Sequence, residues 1–337
     1  MTTILDVAER AGVSPSTVSH VLNKTRHVSE MTRARVLQAV DELNYRPNIL
    51  ARSLRRRETH TLGILIPDNT NPFFAEMVRG IEDTVFDEGY TVLLGNSDGE
   101  SDKELRYLDL FVNKQVDGVV LVAAAMKNEE SFEVLRDPSV STVIVDREIE
   151  LERMDRVLAD NLSGGYTATR HLLQLGHRRI GCITGPSQVT PSAERVIGYQ
   201  KALEEWNIAP DQSLVVTGDF RHVSGLHAAK QLLTMPKPPT AIFACNDMMA
   251  LGVLGAANEL DIQVPDELSL IGFDDIALDE LVVPRLTTIC QPAYEMGCRA
   301  ASLLLERLQD PDRPVERQML KTYLVERDST APRNTED

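Results

Sequence analysis

The sequence predicts a small all-α N-terminal domain, a short connecting helix, and a C-terminal α/β body made of two doubly wound parallel-sheet lobes. Apolar residues recur at helical spacing through the first 45 residues. From Thr61 onward, apolar strand runs alternate with helical segments at intervals of about 25–30 residues, which is typical of parallel sheets covered on both faces. The body is longer than a single hydrophobic core usually supports, so we expect two lobes.

Three helices are predicted near the N-terminus, each with its own start signal. Thr3 caps the first helix, and Gly12 ends it. Ser14 caps the second helix and Pro15 opens it, at a position where the missing N–H costs nothing. Ser29 caps the third. The short glycine-containing turn between the first two helices predicts a helix-turn-helix motif.

The second helix of such a motif enters the major groove of DNA with its N-terminal residues toward the base edges. Short polar side chains suit this contact, and the sequence places several there: Pro15, Ser16, Thr17, His20 and Asn23. Ser16, Thr17 and Ser19 can also donate hydrogen bonds to phosphate. The alternative is a small helical bundle that binds protein.

The charge is distributed unevenly along the chain. Residues 1–60 hold ten Lys and Arg against six Asp and Glu, whereas residues 61–337 hold 25 against 45. A basic end on an acidic body suits a protein that presents one end to a polyanion. Residues 48–57 contain four arginines and few apolar side chains, so we expect a helix that forms only when its charge is neutralised.

The body is predicted to contain at least seven strands and four helices. The strands named from apolar runs are 62–67, 90–94, 116–121, 143–146, 180–184, 241–245 and 268–272. The helices between them include 74–88, 164–175, 193–206 and 247–260. The polar chain after Val325 is expected to be loose.

Polar and aromatic side chains follow the predicted strands where ligands bind in α/β sheets. They are Asn71 with Phe73 and Phe74, Asp146 with Arg147, Asn246 with Asp247, Asp274 with Asp275, and Gln291. Aromatic faces together with carboxylate, amide and guanidinium groups suit a polyhydroxylated ring. Each residue alone could equally be a loop cap or part of an ion pair, so the prediction rests on their shared placement.

Composition argues against several other classes of protein. The four cysteines form no Cys-x-x-Cys pair, and all but Cys298 lie in strand-like runs and are predicted to be small core residues, which fits a reducing compartment. We find neither a secretory signal nor an apolar run of membrane-spanning length, so a cytoplasmic protein without a metal or cofactor is expected. The missing signal and the N-terminal helices also argue against a sugar-transport component.

An enzyme is the other alternative. Residues 95–99 (GNSDG) fit the G-x-S-x-G pattern of a nucleophile elbow, and His171 and His177 follow later in the chain. No matched acid and histidine stand out, and the chain lacks G-x-G, G-K-[ST] and H-E-x-x-H motifs. We therefore expect no enzymatic activity.

The N-terminal residues resemble the signature of the LacI/GalR family of transcriptional regulators. The resemblance is carried by residues 4–23 (ILDVAERAGVSPSTVSHVLN), 27–29, 43–48 and 51–54, and it extends from residue 2 to about residue 328. It implies a DNA-binding domain at 1–47, a hinge helix and linker at 48–58, and an effector-binding and dimerisation body at 59–337. The first lobe would span about 59–160 and 292–319, and the second about 161–291 and 320–330.

The resemblance also implies how DNA is bound. Paired hinge helices of a homodimer would enter the minor groove at the centre of a palindromic operator, where Leu54 wedges between base pairs. The predicted DNA contacts are Thr3, Ser14, Pro15, Ser16, Thr17, Ser19, His20, Asn23, His27, Leu54 and Arg55.

The body resembles periplasmic sugar-binding proteins, and within the family it is most similar to ribose-operon repressors. This similarity implies the ligand set Asn71, Phe73, Phe74, Asp146, Arg147, Arg195, Phe220, Asn246, Asp274 and Gln291. Purine-responsive relatives share some of these residues but lack the combination of Asn71, Arg147, Asn246 and Gln291. A monosaccharide such as ribose is therefore expected, with a purine co-repressor as the alternative. Pro67 departs from the ribose-binding pattern, in which a polar residue begins the pocket.

Overall fold

The computed structural model describes residues 2–23, 25–45, 59–123, 140–149 and 154–333. It divides into two compact units, Met1–Thr59 and His60–Asp337. The predicted hinge helix, with Leu54 and Arg55, lies outside the described residues. The domain boundaries around the hinge therefore stay a prediction.

The N-terminal unit contains the three predicted helices around a small apolar core. They are α1 (Ile4–Ala11), α2 (Pro15–Asn23) and α3 (Glu30–Glu42). The buried side chains that hold them together are Val7, Ala8, Ala11, Val18, Val21, Val36 and Ala39. Since α1 and α2 are joined by a short turn and share this core, the helix-turn-helix prediction is confirmed.

Local side-chain signals explain where these helices begin and end. Thr3 and Asp6 form a complete capping box at the start of α1. Gly12 ends α1 with a left-handed φ of 62°, a conformation that glycine adopts without a steric penalty. The hydroxyls of Ser14 and Ser29 each accept a hydrogen bond from the backbone amide three residues further on, at the starts of α2 and α3.

The second unit contains twelve strands among its described residues. They are β1 (Thr61–Ile66), β2 (Thr91–Asn96), β3 (Gly118–Leu121), β4 (Ser141–Val145), β5 (Asp155–Ala159), β6 (Ile180–Thr184), β7 (Val215–Thr217), β8 (Ala241–Ala244), β9 (Ser269–Asp274), β10 (Thr287–Cys290), β11 (Arg317–Leu320) and β12 (Tyr323–Val325). They form two six-stranded sheets with the orders β11–β5–β4–β3–β1–β2 and β12–β10–β9–β8–β6–β7. Only the pairing of β10 with β12 is antiparallel among these strands. The prediction of two parallel-sheet lobes is confirmed.

Helices cover the two sheets and connect their parallel strands. They are α4 (Pro72–Phe86), α5 (Ser101–Asn113), α6 (Asn161–Gln174), α7 (Thr190–Glu205), α8 (His222–Leu233), α9 (Asp247–Glu259) and α10 (Ala293–Gln309). Short 3-10 helices span Gln212–Leu214 and Ala277–Glu280. The central strands are buried almost throughout, as expected for parallel strands packed on both faces.

The prediction that the chain is loose beyond Val325 is wrong as far as Arg333. Ser329 is fully buried, and its hydroxyl donates to the carbonyl of Leu270 at 2.6 Å and accepts from the amide of Thr287 at 2.8 Å. The polar side chains of this segment thus satisfy backbone groups of β9 and β10 instead of facing water.

Candidate functional site

The residues predicted to contact DNA lie mainly on α2. Val18 and Val21 are buried in the core of the N-terminal unit, whereas the polar residues in and just before α2 are exposed or partly exposed. Ser14, Pro15 and Ser16 are exposed, and Thr17, Ser19, His20 and Asn23 are partly exposed. Thr3 and His27 are exposed on either side of α2 in sequence. One polar helix face is therefore available to a partner.

The hydroxyl groups at the start of α2 form a cluster. The Oγ of Ser14 lies 2.8 Å from the Oγ of Ser16 and 2.9 Å from the Oγ1 of Thr17. Further along the helix, Nδ1 of His20 lies 2.9 Å from the Oγ1 of Thr25. These groups both donate and accept hydrogen bonds, which suits contact with phosphates and base edges.

A separate cavity of about 240 Å³ lies in the second unit. All ten residues of the predicted ligand set line it: Asn71, Phe73, Phe74, Asp146, Arg147, Arg195, Phe220, Asn246, Asp274 and Gln291. Residues separated by up to 220 positions in the chain thus meet around one small space.

The carboxyl ends of parallel strands deliver these side chains. Asn71 caps α4 beyond β1, and Asp146 directly follows β4 in the first sheet. Asn246 caps α9 beyond β8, Asp274 ends β9, and Gln291 follows β10 in the second sheet. The cavity therefore lies between the carboxyl ends of two sheets, the usual ligand position in α/β folds.

Aromatic rings provide apolar walls. Phe73 and Phe74 are buried on α4, with ring centroids 5.2 Å apart in an edge-to-face arrangement. Phe220 has a left-handed φ of 69°, and its carbonyl accepts a hydrogen bond from Nδ2 of Asn246 at 3.0 Å. Asn246 thus helps to hold a strained backbone that places the Phe220 ring at the cavity.

Arg195 is a buried cation with a fixed orientation. Its Nε donates to Oδ1 of Asn161 at 2.9 Å, and its Nη1 donates to the carbonyl of Cys245 and lies 3.8 Å from Oδ1 of Asp274. Its guanidinium carbon lies 3.7 Å from the centroid of the Phe273 ring. These contacts orient the guanidinium before any ligand arrives.

The carboxyl groups of the cavity are strongly affected by burial. Burial raises the pKa of Asp274 well above its usual value, while the charge of Arg195 lowers it. Nε2 of Gln291 donates to Oδ1 of Asp274 at 2.7 Å. Burial also raises the pKa of Asp146, against the lowering effect of Arg147. Hydroxyl donors from a ligand would stabilise the charged form of both carboxyls.

Three buried polar atoms of cavity residues have no hydrogen-bond partner among the described residues. They are Oδ1 of Asp146, Nε of Arg147 and Oε1 of Gln291. A buried polar atom without a partner costs about 1–3 kcal/mol. Two acceptors and one donor match hydroxyl groups, because a hydroxyl both donates and accepts. The cavity is therefore suited to a polyhydroxylated ligand.

Sequence reasoning missed several residues that line the cavity: Asp68, Asp98, Gln188, Asp219 and Arg221. The Nε of Arg221 lies 3.5 Å from Oδ2 of Asp68, so this ion pair joins side chains that follow strands of the two different sheets. Asp68 comes just after β1, so its position at the end of a strand could have predicted it in the same way as Asn71. Arg221 lies in a loop and carried no local signal.

The structure argues against a nucleophile elbow at residues 95–99. Ser97 is fully buried, and its hydroxyl donates to the carbonyl of Ile66 at 3.3 Å. His171 and His177 are engaged elsewhere, in hydrogen bonds with Thr330 and with Thr240 respectively. The G-x-S-x-G match is a strand exit rather than an exposed nucleophile.

Two other kinds of feature are absent from the described part of the chain. No cluster of three or more potential metal-binding side chains occurs there. None of its helices is both long and apolar enough to cross a membrane. Its four cysteines are free, and Cys182, Cys245 and Cys290 are buried as predicted.

Comparisons with known proteins match both units. Residues 3–48 match the model of bacterial regulatory proteins of the lacI family, and residues 169–330 match a periplasmic binding protein-like domain. The ribose operon repressor of Escherichia coli (strain K12) is 42% identical over 329 residues, covering 98% of this chain and 100% of the relative. This chain belongs to the LacI family of transcriptional repressors.

The relatives of this LacI-family repressor do not all carry the same name. The HTH-type transcriptional repressor PurR of Vibrio atlanticus (strain LGP32) is 39% identical over 334 residues, covering 99% of this chain and all of the relative. A crystal structure of a LacI family regulator from Enterococcus faecium with bound ribose is 32% identical, with a TM-score of 0.75, and covers 81% of this chain and 100% of that one. The family prediction is confirmed.

Gly185 controls the position of one cavity wall in the repressor. A Cβ at Gly185 would lie 2.1 Å from Cζ of Phe220, so the ring would have to move. We expect Gly185→Ala to weaken small-molecule binding about tenfold, as measured by calorimetry. The matched control is Gly255→Ala, because a Cβ there meets only Cδ1 of Leu226 at 3.5 Å. Equal affinities in the two variants would contradict the role assigned to Gly185.

Proposed function

We propose that this LacI-family repressor controls a sugar-utilisation operon and releases its operator when a monosaccharide, ribose or a close relative, binds in the cavity. The observation that carries this proposal is that buried polar atoms of Asp146, Arg147 and Gln291 lack a hydrogen-bond partner among the described residues and lie in a cavity with aromatic walls. A sugar satisfies the polar atoms with its hydroxyls and packs its C–H face on the rings.

A purine co-repressor is the second candidate, and the PurR relative favours it. A flat heteroaromatic base would also stack on Phe73, Phe74 and Phe220. The sugar has the stronger case, because the cavity combines Asn71, Arg147, Asn246 and Gln291. The family resemblance implies that this combination is typical of ribose-responsive rather than purine-responsive members. The similarity to a ribose operon repressor and to a ribose-bound regulator supports the same choice.

On the DNA side, we propose that the polar face of α2 contacts a palindromic operator in the major groove. A palindrome implies a two-fold symmetric homodimer. The second unit offers apolar side chains for such an interface, since Phe86, Leu93 and Leu94 are 70%, 40% and 48% exposed at the end of α4 and on β2. The bacterial chromosome lies in the cytoplasm, where we place the repressor.

Ligand and operator are coupled through the hinge in this proposal. A ligand shifts a conformational equilibrium only through different affinities for its states, and a sugar held between the two sheets favours the closed cavity. Closure of both protomers would move the hinge segments apart, and helices this short rarely hold alone. Operator DNA must in turn weaken sugar binding by the same factor.

Calorimetry with ribose, other pentoses, hexoses, hypoxanthine and guanine tests the ligand class. Fluorescence anisotropy with a palindromic duplex selected from a random pool, with and without each ligand, tests the coupling. We expect ribose or a close relative to bind and to weaken operator affinity about tenfold or more. Tight purine binding without sugar binding would establish the second candidate instead, and equal operator affinity with every ligand would refute the coupling.

A further inference from the structure

Two buried carboxyl groups lie behind the cavity without lining it. Asp247 begins α9, and Asp279 lies in the 3-10 helix Ala277–Glu280. Both side chains are fully buried. Buried carboxyls of this kind need partners, because removing a charge from water is costly.

Asp247 holds the turn that follows β9. Its Oδ2 accepts hydrogen bonds from the backbone amides of Asp275 at 2.6 Å and of Ile276 at 3.2 Å. Its Oδ1 accepts from the hydroxyl of Thr288 on β10 at 2.6 Å. The Asp247 carboxylate therefore accepts the hydrogen bonds of two backbone amides that lie beyond the end of the strand.

The turn that Asp247 holds is strained. Asp274 has a φ of 128° and Asp275 a φ of 64°, both in regions that residues with a Cβ rarely adopt. Such a conformation persists only when its surroundings enforce it. Since Asp274 lines the cavity, the hydrogen bonds from Asp275 and Ile276 to Asp247 also set where the Asp274 carboxylate lies.

Asp279 has a different environment. Both of its carboxyl oxygens are buried, and neither has a hydrogen-bond donor among the described residues. Burial, reinforced by the neighbouring Asp247 carboxylate, raises the pKa of Asp279 to about 11. Burial raises the pKa of Asp247 too, but a side-chain hydrogen bond with Asp279 lowers it most, followed by those from Thr288, Ile276 and Asp275. Of two adjacent buried carboxyls, the one without donors keeps the proton.

We propose that Asp279 donates a shared proton to the Asp247 carboxylate, and that this pair is a positioning element that holds the strained turn and directs Asp274 into the cavity. The expected effect of this pair on ribose affinity rests on the sugar-binding function proposed above. Asp279 acts through Asp247 and does not itself meet the ligand.

Several other groups share the surroundings of the pair. They are Asp274 and Asp275 at the end of β9, Glu280 beside Asp279, Cys290 on β10, and Arg327 beyond β12. Nη2 of Arg327 donates to Oδ1 of Asp275 at 2.7 Å and so neutralises that carboxylate. Arg327 is the cation whose charge lowers the pKa of Asp279 most among the described residues, and it is already hydrogen-bonded to Asp275. One proton is therefore the simplest way to keep the pair at a single negative charge.

Ribose titrations of two variants test the positioning role. We expect Asp279→Asn to bind ribose within about twofold of the wild type, because the amide still donates to Asp247. Asp279→Ala should bind about tenfold more weakly, because the turn loses its support. Ser329→Ala is the matched control, since it removes a buried hydrogen-bonding group that does not line the cavity and should lower stability without changing ribose affinity. Loss of affinity in Asp279→Asn equal to that in Asp279→Ala would overturn the proposal.

The pH dependence of stability tests the proton itself. A carboxyl whose pKa is raised on folding binds a proton in the folded state that the unfolded state lacks, so its contribution is lost as pH rises. Between about pH 5 and pH 9, the wild type should therefore lose stability relative to Asp279→Asn, with a slope of about one proton. Parallel stability curves for the two proteins would contradict this.

Carbon-13 NMR of aspartate carboxyls gives a readout independent of any ligand. A carboxyl resonance that stays protonated at pH 7 and disappears in Asp279→Asn is expected. A resonance for Asp279 that titrates like an exposed carboxyl would overturn the pair. If the wild type bound no ribose, the proposed function would fail, while the NMR and pH measurements would still decide the protonation of Asp279.

Discussion

Replacing Asp274 with alanine is expected to abolish the response of this LacI-family repressor to its effector while leaving operator binding intact. Asp274 is buried, faces the guanidinium of Arg195, and accepts a hydrogen bond from Gln291. Its removal takes away a ligand acceptor and also leaves the Arg195 cation buried without its carboxylate. Breaking such a pair costs about 2–5 kcal/mol, so we expect ribose affinity to fall about 100-fold or more.

Operator binding should survive in this variant because the N-terminal unit has its own core and its own helix caps. Calorimetry with ribose and anisotropy with the selected operator, done on the same preparation, separate the two effects. Asp211→Ala is the matched control: Asp211 lies in the same lobe and pairs with Arg179 at 3.0 Å, but it does not line the cavity. Unchanged ribose affinity in Asp274→Ala, or parallel loss of both activities, would contradict the assignment.

The parts of the structure that could be predicted are those with local causes. Strand β6 was predicted with its observed ends, because a buried apolar run bounded by polar residues leaves little choice. Asn71 and Asn246 were predicted as ligand residues because polar side chains that follow strands collect at one edge of a sheet. Both also cap the next helix, so one residue type serves the fold and the site.

The parts that could not be predicted depend on contacts between distant residues. Arg195 lies within a helix and Phe220 in a loop, so only the family resemblance pointed to them. The pairing of Asp279 with Asp247 and the burial of Ser329 arise only when the second sheet assembles. A run as short as β11, with two polar and two apolar residues, has no clear apolar pattern; it forms a strand because β5 provides an edge to pair with.

Leu54→Ala is expected to weaken operator binding about ten- to 100-fold while leaving the ribose affinity of the body unchanged. Leu54 is flanked by Ser53 and by arginines at 55–57, so the sequence gives it few apolar neighbours to pack against. An apolar side chain among arginines suits a wedge between base pairs, where unstacking costs a few kcal/mol and is offset by the contacts that bent DNA allows. Alanine is too short to fill the opened step, so the operator would lose the kink and the contacts that depend on it.

Leu37→Ala provides the matched control, since it makes the same chemical change at a leucine that is 45% exposed on α3 and outside the predicted contacts. Anisotropy with the selected operator and calorimetry with ribose give the two affinities for each variant. A wedge predicts that only Leu54→Ala loses affinity, and that the loss is larger on a flexible central pyrimidine–purine step, where kinking is easiest, than on a stiff one. Equal affinities of the two variants on both duplexes would show that the hinge holds the operator by charge alone, because the arginines beside Leu54 are present in both.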